Sequence, residues 1–295
     1  MPEGRGEMAA PEYLTVKELA DLLRVKERKV YDLAASGEVP CSRATGKLLF
    51  PAGEIRAWIS GASSGGTGAA RPPIFLGSHD PLLEWALRQS QCGLATFLDG
   101  SLDGLRRFVA GEGVAAGLHL RDGAAGGWNI PGVAAACEGQ AAVLVSWAVR
   151  RRGLVVRPEE SGIDGLPALA GRRFVPRQPE SGSQTLFDAL WAEVGQTPDA
   201  IDRAPVARSE DDAVRTVAEG EADAAFGLEA LAAPYGLSFV PVVDERFDLL
   251  VDRRAWFEPP MQALLGFLAT DTFRRRAAAM PGYDVTGLGV VRWNG

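Results

Sequence analysis

IFLGSHDPLLEWAL, residues 74–87, joins two kinds of structure. Ile74 to Leu76 is a short apolar run that reads as a strand. Pro81 to Ser90 reads as a helix, with Pro81 in the first helical position after the capping residue Asp80. Between them stand Ser78, His79 and Asp80, the residue types of a catalytic triad. Consecutive side chains diverge, whereas a triad needs three groups drawn into one chain of hydrogen bonds. The stretch therefore reads as a strand-to-helix turn, the first unit of an alternating fold.

The same alternation runs on. Strands are expected over 94–98, 115–120, 142–149, 154–157, 173–176, 224–227, 239–243 and 248–251. Helices are expected over 102–111, 185–194, 211–219, 260–269 and 272–280. Strand–helix alternation implies an α/β fold with largely parallel sheets, whose ligands sit at the carboxyl ends of the strands. The residues there are small, polar or glycine: GSHDP, DGSLDG, LHL, PRQPESGSQTLFD and GLEALA. A helix start offers unpaired N–H groups and the positive end of its dipole, so hydroxyls and glycines there make an anion cradle. Ser78, Ser101, Ser181, Ser183 and Thr185 are placed to face one cleft. Each alone is a common helix cap. Both histidines of the chain, His79 and His119, fall at strand ends on the same side, which favours a shared site.

The first sixty residues read differently. Thr15 and Glu18 have the spacing of a capping box, and Val16, Leu19, Ala20, Leu22 and Leu23 recur at helical period. A second helix runs from Lys26 to Ala35 and stops at Gly37. VPCSRATGKLLFP then folds back around Thr45-Gly46 as a hairpin, and Glu54 to Ile59 closes the unit as a helix. Helix, tight turn, helix, wing and helix is a DNA-reading layout. The segment SGASSGGTGAARPP, residues 60–73, has almost no large apolar side chain and reads as a linker.

Bulk properties narrow the function. The chain has 295 residues and is 46% hydrophobic, enough for a sizeable core, with no apolar run long enough to span a bilayer and no apolar core near its start for a signal peptide. A cytoplasmic protein is expected. Three widely spaced cysteines, Cys41, Cys92 and Cys137, argue against a disulfide framework and a structural zinc site. The net charge of −7 conceals a basic window: Arg24 to Lys47 holds six basic and three acidic residues. No nucleophile–base pair or metal motif stands out, so no catalytic residue, metal or cofactor is assigned.

YLTVKELADLLRVKERKVYDLAASGEVPCSRATGKLLFPAGEIRAWI, residues 13–59, resembles the winged helix-turn-helix of excisionases and MerR-type regulators. In that family the second helix enters the major groove and the wing touches the backbone. The resemblance implies that Lys26, Arg28, Lys29 and Tyr31, with Arg43, Thr45 and Lys47 on the wing, face double-stranded DNA. Glu27 fits that pattern poorly. The segments GSHDPLLEWAL, GSLDGLRRFVAGEGVAAGLHL, RRFVPRQPESGSQTLFDALWAEVG and AEGEADAAFGLEALAAPYGLSFVPV are together similar to a periplasmic-binding-protein-like domain, in the form joined to helix-turn-helix regulators and molybdenum-cofactor proteins. That family has two α/β lobes joined by two crossovers, with ligand in the cleft.

The expected architecture is thus a small winged helix-turn-helix joined to a two-lobed α/β domain. Its parts are a disordered 1–12, a DNA-binding 13–60, a linker 61–73 and a sensor 74–295 whose second lobe spans about 157–245. The resemblance implies ligand contacts from Ser78, His79, Ser101, His119, Arg177, Ser181, Gly182, Ser183 and Thr185. Gln184 stands where similar domains often carry arginine, which weakens the positive character of the site. The function implied is a one-component regulator, a homodimer or higher homo-oligomer, whose operator binding responds to a small anionic effector such as molybdate or tungstate. A molybdenum-cofactor precursor, another small metabolite, or a large domain that only dimerises are the alternatives.

Overall fold

A computed structural model describes residues 12–23, 25–43, 46–61, 70–122, 127–160 and 162–295, without the side chains of residues 56, 57 and 59–61. Arg24, Thr45, most of the expected disordered start and most of the linker lie outside the described residues. The chain divides into two compact units, Met1–Ala69 and Ala70–Gly295.

The small unit is a helix-turn-helix. Thr15 and Glu18 form the reciprocal capping box: the Thr15 N–H donates to Glu18 Oε2 at 2.8 Å and the Glu18 N–H to Thr15 Oγ1 at 3.3 Å. Helix Val16–Leu23 follows, then Glu27–Ala35, and Ala52–Gly61 closes the unit. Leu19, Val30, Phe50 and Ile55 are fully buried at its centre. The wing is short: Ser42 and Leu49 exchange two backbone bonds, and Phe50–Pro51 pairs antiparallel with Tyr13–Leu14, a strand that the pattern does not announce.

The large unit carries the sheet order Asp202–Arg203, Arg173–Val175, Ala224–Leu228, Ala142–Val156, Ser238–Asp252, Ala115–Leu118, Ile74–Gly77, Ala95–Phe97. Two expectations need correction. The sheet is mixed, not largely parallel: pairing is parallel at its two ends and antiparallel wherever Ala142–Val156 or Ser238–Asp252 takes part. And the four short strands expected over 142–157 and 239–251 are two continuous strands of 15 residues each, paired along their length with bulges near Pro241 and Phe247.

These two strands are the crossovers, and each serves two cores. Their first-lobe ends place Val145, Trp147, Phe247 and Leu249 against helices Pro81–Gln89 and Pro259–Leu268, and Leu144 and Leu250 against the opposite face. Their other ends place Leu154 and Val156 with Phe174, Phe187 and Trp191 of the second lobe. The alternation is the period of two of a sheet covered on both faces. The second lobe begins near Arg150 and ends near Glu245, because that is where one core gives way to the other.

Two smaller features bear on the site. Residues 70–73 belong to the large unit rather than to the linker: Arg71 donates to the carbonyls of Phe108 and Gly113 and to Gln140, pairs with Asp252 at 3.2 Å and lies over the Phe108 ring. After Ala115–Leu118 the chain forms a two-stranded ribbon, Arg121–Asp122 with Gly127–Trp128, before helix Ile130–Ala136. Trp128 packs in the core of the second lobe although it leaves from the first.

Candidate functional site

The site is assembled where helix starts from opposite lobes meet. Helix Ser101–Val109 follows Gly100, and helix Gly182–Glu193 is capped by Ser181, whose hydroxyl accepts the Ser183 N–H at 3.2 Å. A Cβ on Gly104 would run into the backbone of Gly77, so this helix packs directly on the end of strand Ile74–Gly77. That close approach sets Ser101 Oγ 2.7 Å from Ser78 Oγ. Ser101 Oγ also accepts the His119 N–H at 3.0 Å. From the second lobe, Gly182 closes over this group: a Cβ there would lie 2.7 Å from His119 Cε1, 2.8 Å from its Nε2 and 3.0 Å from Ser101 Oγ. Ser78, Ser101, His119, Ser181, Gly182 and Ser183 are all buried and near one another or near the closing helix.

Beneath them lies an ionic network that sequence reasoning missed. Arg150 and Arg152, two apart on one crossover strand, point to the same side and are fully buried. Arg150 bonds Asp80 at 2.8 Å and Glu245; Arg152 bonds Glu245 at 2.9 Å and both oxygens of Glu210 at 2.9 and 3.1 Å. Glu245 also accepts from His119 Nδ1 at 3.0 Å, and Ser183 donates its hydroxyl to Glu210. With Arg177, whose guanidinium stands 3.4 Å from Glu210, three guanidinium groups face three carboxylates. The sequence signal was present: three consecutive arginines inside an otherwise apolar strand have to find partners if they are buried.

Burial pushes the Glu210 carboxyl up, but Arg152, Arg177 and Ser183 hold it down at about 2. Burial acts likewise on Glu245, and Arg150, Arg152 and His119 leave it well below the usual carboxylate range. Burial lowers the His119 pKa; Glu245 opposes this, and Arg150 and Arg152 add to it. His119 is therefore neutral at neutral pH, with its proton on Nδ1 towards Glu245.

Ser78, His79 and Asp80 go three separate ways. Ser78 joins Ser101, and its N–H donates to the Gly117 carbonyl at 2.8 Å. His79 lies half-buried away from the serines, with Nε2 2.9 Å from Glu84 on the helix that follows. Asp80 is more than a cap. It accepts from the Leu83 N–H, Trp147 Nε1, Arg150 and the Tyr283 hydroxyl, tying the first helix to the crossover strand. The Arg177 guanidinium also donates to the carbonyls of Ala207 and Arg208 in its own lobe. Gln184 accepts the Arg177 N–H at 2.7 Å and donates to Asp188, a local brace in the position where arginine was expected. Thr185 is exposed and donates to the Ser181 carbonyl at 3.1 Å.

Gly182 offers a direct test of closure. Alanine is the better helix residue, so an exposed Gly182 would gain stability from the change. Here the added methyl meets His119 and Ser101. Gly182→Ala is expected to lower stability by roughly 1–3 kcal/mol and to enlarge the domain in small-angle scattering. A melting temperature equal to or above that of the parent would mean that the lobes do not close here.

On the small unit, Lys26, Arg28, Lys29, Tyr31, Arg43 and Lys47 are all exposed. Tyr31, Arg43 and Lys47 line one hollow of about 710 Å³ together with Lys17, which pattern reasoning did not single out, and Glu27. Side chains of the second helix and of the wing thus share one hollow. Among the described residues, no cluster of three or more His, Cys, Asp or Glu side chains is arranged to hold a metal ion, and no helix is long and apolar enough to cross a membrane.

Two lobes crossed by a pair of antiparallel strands, with polar side chains gathered between them, define a two-lobed ligand-binding domain. The chain belongs to the PBP superfamily, whose domain matches residues 84–269, and a helix-turn-helix domain matches residues 13–63. Over 299 aligned residues it is 24% identical to the uncharacterized protein YvgK of Bacillus subtilis (strain 168), covering 94% of this chain and 96% of that one. A Clostridium perfringens ABC transporter substrate-binding protein with bound phosphate is similar in fold, with TM-score 0.53 and 12% identity over 70% of this chain and 96% of that one. The regulatory domain of CcmR from Synechocystis PCC6803, in complex with 2-PG, aligns with TM-score 0.48 and 12% identity over 66% of this chain and 93% of that one. Helix-turn-helix plus PBP-like domain is the composition of a DNA-binding regulator with a ligand-binding domain.

Proposed function

We propose that the chain is a one-component transcriptional regulator of the cytoplasm, a homodimer or higher homo-oligomer, whose operator binding is set by a small anion seated between the lobes. What supports this reading is the bond between Ser78 and Ser101, at the start of a first-lobe helix, with Gly182, at the start of a second-lobe helix, closing on Ser101. An anion there bonds both lobes at once and so stabilises their closure, which is the differential affinity that a switch requires. The charges below are balanced, so the anion depends on neutral donors, hydroxyl and N–H. That chemistry suits the inorganic candidates molybdate and tungstate. Lys26, Arg28, Lys29 and Tyr31 on the second helix and Arg43, Thr45 and Lys47 on the wing are assigned to DNA.

The test has two arms. Molybdate, tungstate, sulfate and phosphate are titrated while melting is followed; a ligand at 100 times its Kd adds about 2.7 kcal/mol. Ser78→Ala with Ser101→Ala is expected to abolish the shift and leave DNA binding intact. Arg28→Ala with Lys29→Ala is expected to do the reverse, weakening binding to duplex DNA and reducing its log–log salt slope by roughly 2. Serine variants that bind as the parent does would remove the seat, and an unchanged salt slope would remove the DNA face.

A further inference from the structure

Beside the hydroxyl seat, between the lobes, lies a cavity of about 210 Å³ whose walls include Leu102, His119, Leu120, Asn129, Gly182 and Thr185. Arg121 apart, the hydrogen-bonding capacity of its walls is one-sided. Asn129 has spent its groups: Oδ1 accepts the Leu120 N–H at 2.6 Å, and Nδ2 donates to Asp248 at 2.8 Å and to the Arg246 carbonyl at 3.3 Å. The Thr185 hydroxyl proton goes to Ser181, which leaves oxygen lone pairs. Arg121, also on the wall, is ion-paired with Glu193 at 2.8 Å, but its Nη1 makes no hydrogen bond, so among the described residues it is the one side-chain donor left on a wall that otherwise accepts.

His119 decides the chemistry. Its Nδ1 stands 3.0 Å from Glu245, a carboxylate clamped by Arg150 and Arg152 that can only accept. The ring proton is therefore on Nδ1, and Nε2, on the edge that faces Gly182, is a bare lone pair with no partner among the described residues. His119 is 3% exposed and lines this cavity, so whatever occupies the cavity is what meets Nε2. Apart from the Arg121 guanidinium, an aprotic oxyanion would meet lone pairs and methyl groups here.

Resting on the reading of the cleft as an anion seat, we infer that the effector is a small organic anion that also carries a hydrogen-bond donor, a hydroxyl or amino group, which His119 Nε2 accepts. Its acidic group takes the hydroxyls of Ser78, Ser101 and Ser181, and its carbon skeleton lies against Leu102 and Leu120. His119 is then the residue that determines specificity between acids with and without the donor.

The full chain is titrated with matched pairs, glycolate and acetate, lactate and propionate, malate and succinate, next to molybdate, tungstate and sulfate, with melting as the readout. A hydroxy acid is expected to raise the melting temperature, and its deoxy partner to bind about tenfold more weakly, the value of one hydrogen bond. In parallel, ¹⁵N NMR is recorded on His79→Gln, which leaves His119 as the one histidine of the chain. The free protein is expected to show protonated Nδ1 and bare Nε2, and the hydroxy acid to move the Nε2 resonance. Equal binding of deoxy partners, or a free protein protonated at Nε2, overturns the inference. A shift with molybdate or tungstate but with no organic acid overturns it too, yet leaves the anion seat standing. No shift with any member removes both.

Discussion

Glu245→Gln is expected to lower the free energy of unfolding by about 3–5 kcal/mol, the usual loss when one partner leaves a buried ionic cluster. Glu245 is fully buried and holds Arg150, Arg152 and His119 together. The amide fills the same space, so the loss is one of charge rather than of packing. Three guanidinium groups would then face two carboxylates in a place that water does not reach. Arg152→Gln in the same chain restores the balance, so the double variant is expected to lose less than the two singles together. Urea unfolding of the four proteins makes the cycle. Additive losses, or a Glu245→Gln loss below about 1 kcal/mol, would show that the cluster is hydrated.

The same cluster predicts where acid unfolds the domain. The Glu210 pKa is about 2 in the folded protein, below its unfolded value, so the folded state holds fewer protons there. A group lowered on folding contributes stability above its unfolded pKa and loses it as pH falls towards the folded one. Glu210 and Glu245 thus give a loss that begins near pH 4.5 and continues towards pH 2 and below. His119, buried and neutral, is lowered from 6.5, so its loss begins earlier, as pH falls below that value. Stability at pH 5 already reflects the histidine, and His119→Gln flattens that first part of the curve.

Much of the fold was legible because local rules act alone there. Thr15 with Glu18, Asp80 with Pro81, and Ser209 before Glu210–Ala218 are caps decided by three or four neighbouring residues. Most strand positions followed from short apolar runs, and Ser101 and Ser181 stand at helix starts as read. What sequence alone misjudged involves partners far along the chain. The RRRG stretch, 150–153, read as a break between strands, because the carboxylates that neutralise it, Glu210 and Glu245, lie 58 and 95 residues away. His79 and His119 looked alike at strand ends. Their fates separated on whether a distant carboxylate, Glu245, or a local one, Glu84, was within reach. Arg177 read as a cleft cation, and the carbonyls that hold it come from residues 207 and 208.

Trp128→Ala is expected to cost about 3–5 kcal/mol, the range for removing a large aromatic side chain from a core. Trp128 is 9% exposed and packs with Leu154, Phe174, Phe187 and Trp191 in the second lobe. Its neighbours in sequence belong to the first lobe: Asn129 is tied to Leu120 and to Asp248 on the crossover strand. The paired strands Arg121–Asp122 and Gly127–Trp128 therefore make a third link between lobes that the crossover strands already join. A second contact on the ribbon, Arg121 with Glu193, is less valuable, since Glu193 is half exposed and surface pairs contribute about 0–1 kcal/mol. Trp128→Ala should thus loosen closure where Arg121→Ala does not. Hydrogen exchange separates the two effects: in Trp128→Ala the amides of helix Gly182–Glu193 are expected to exchange faster than those of helix Pro81–Gln89, because the second lobe loses the side chain. Equal acceleration in both helices would mean that the lobes unfold as one body. A loss below about 1 kcal/mol would mean that Trp128 does not share the second core.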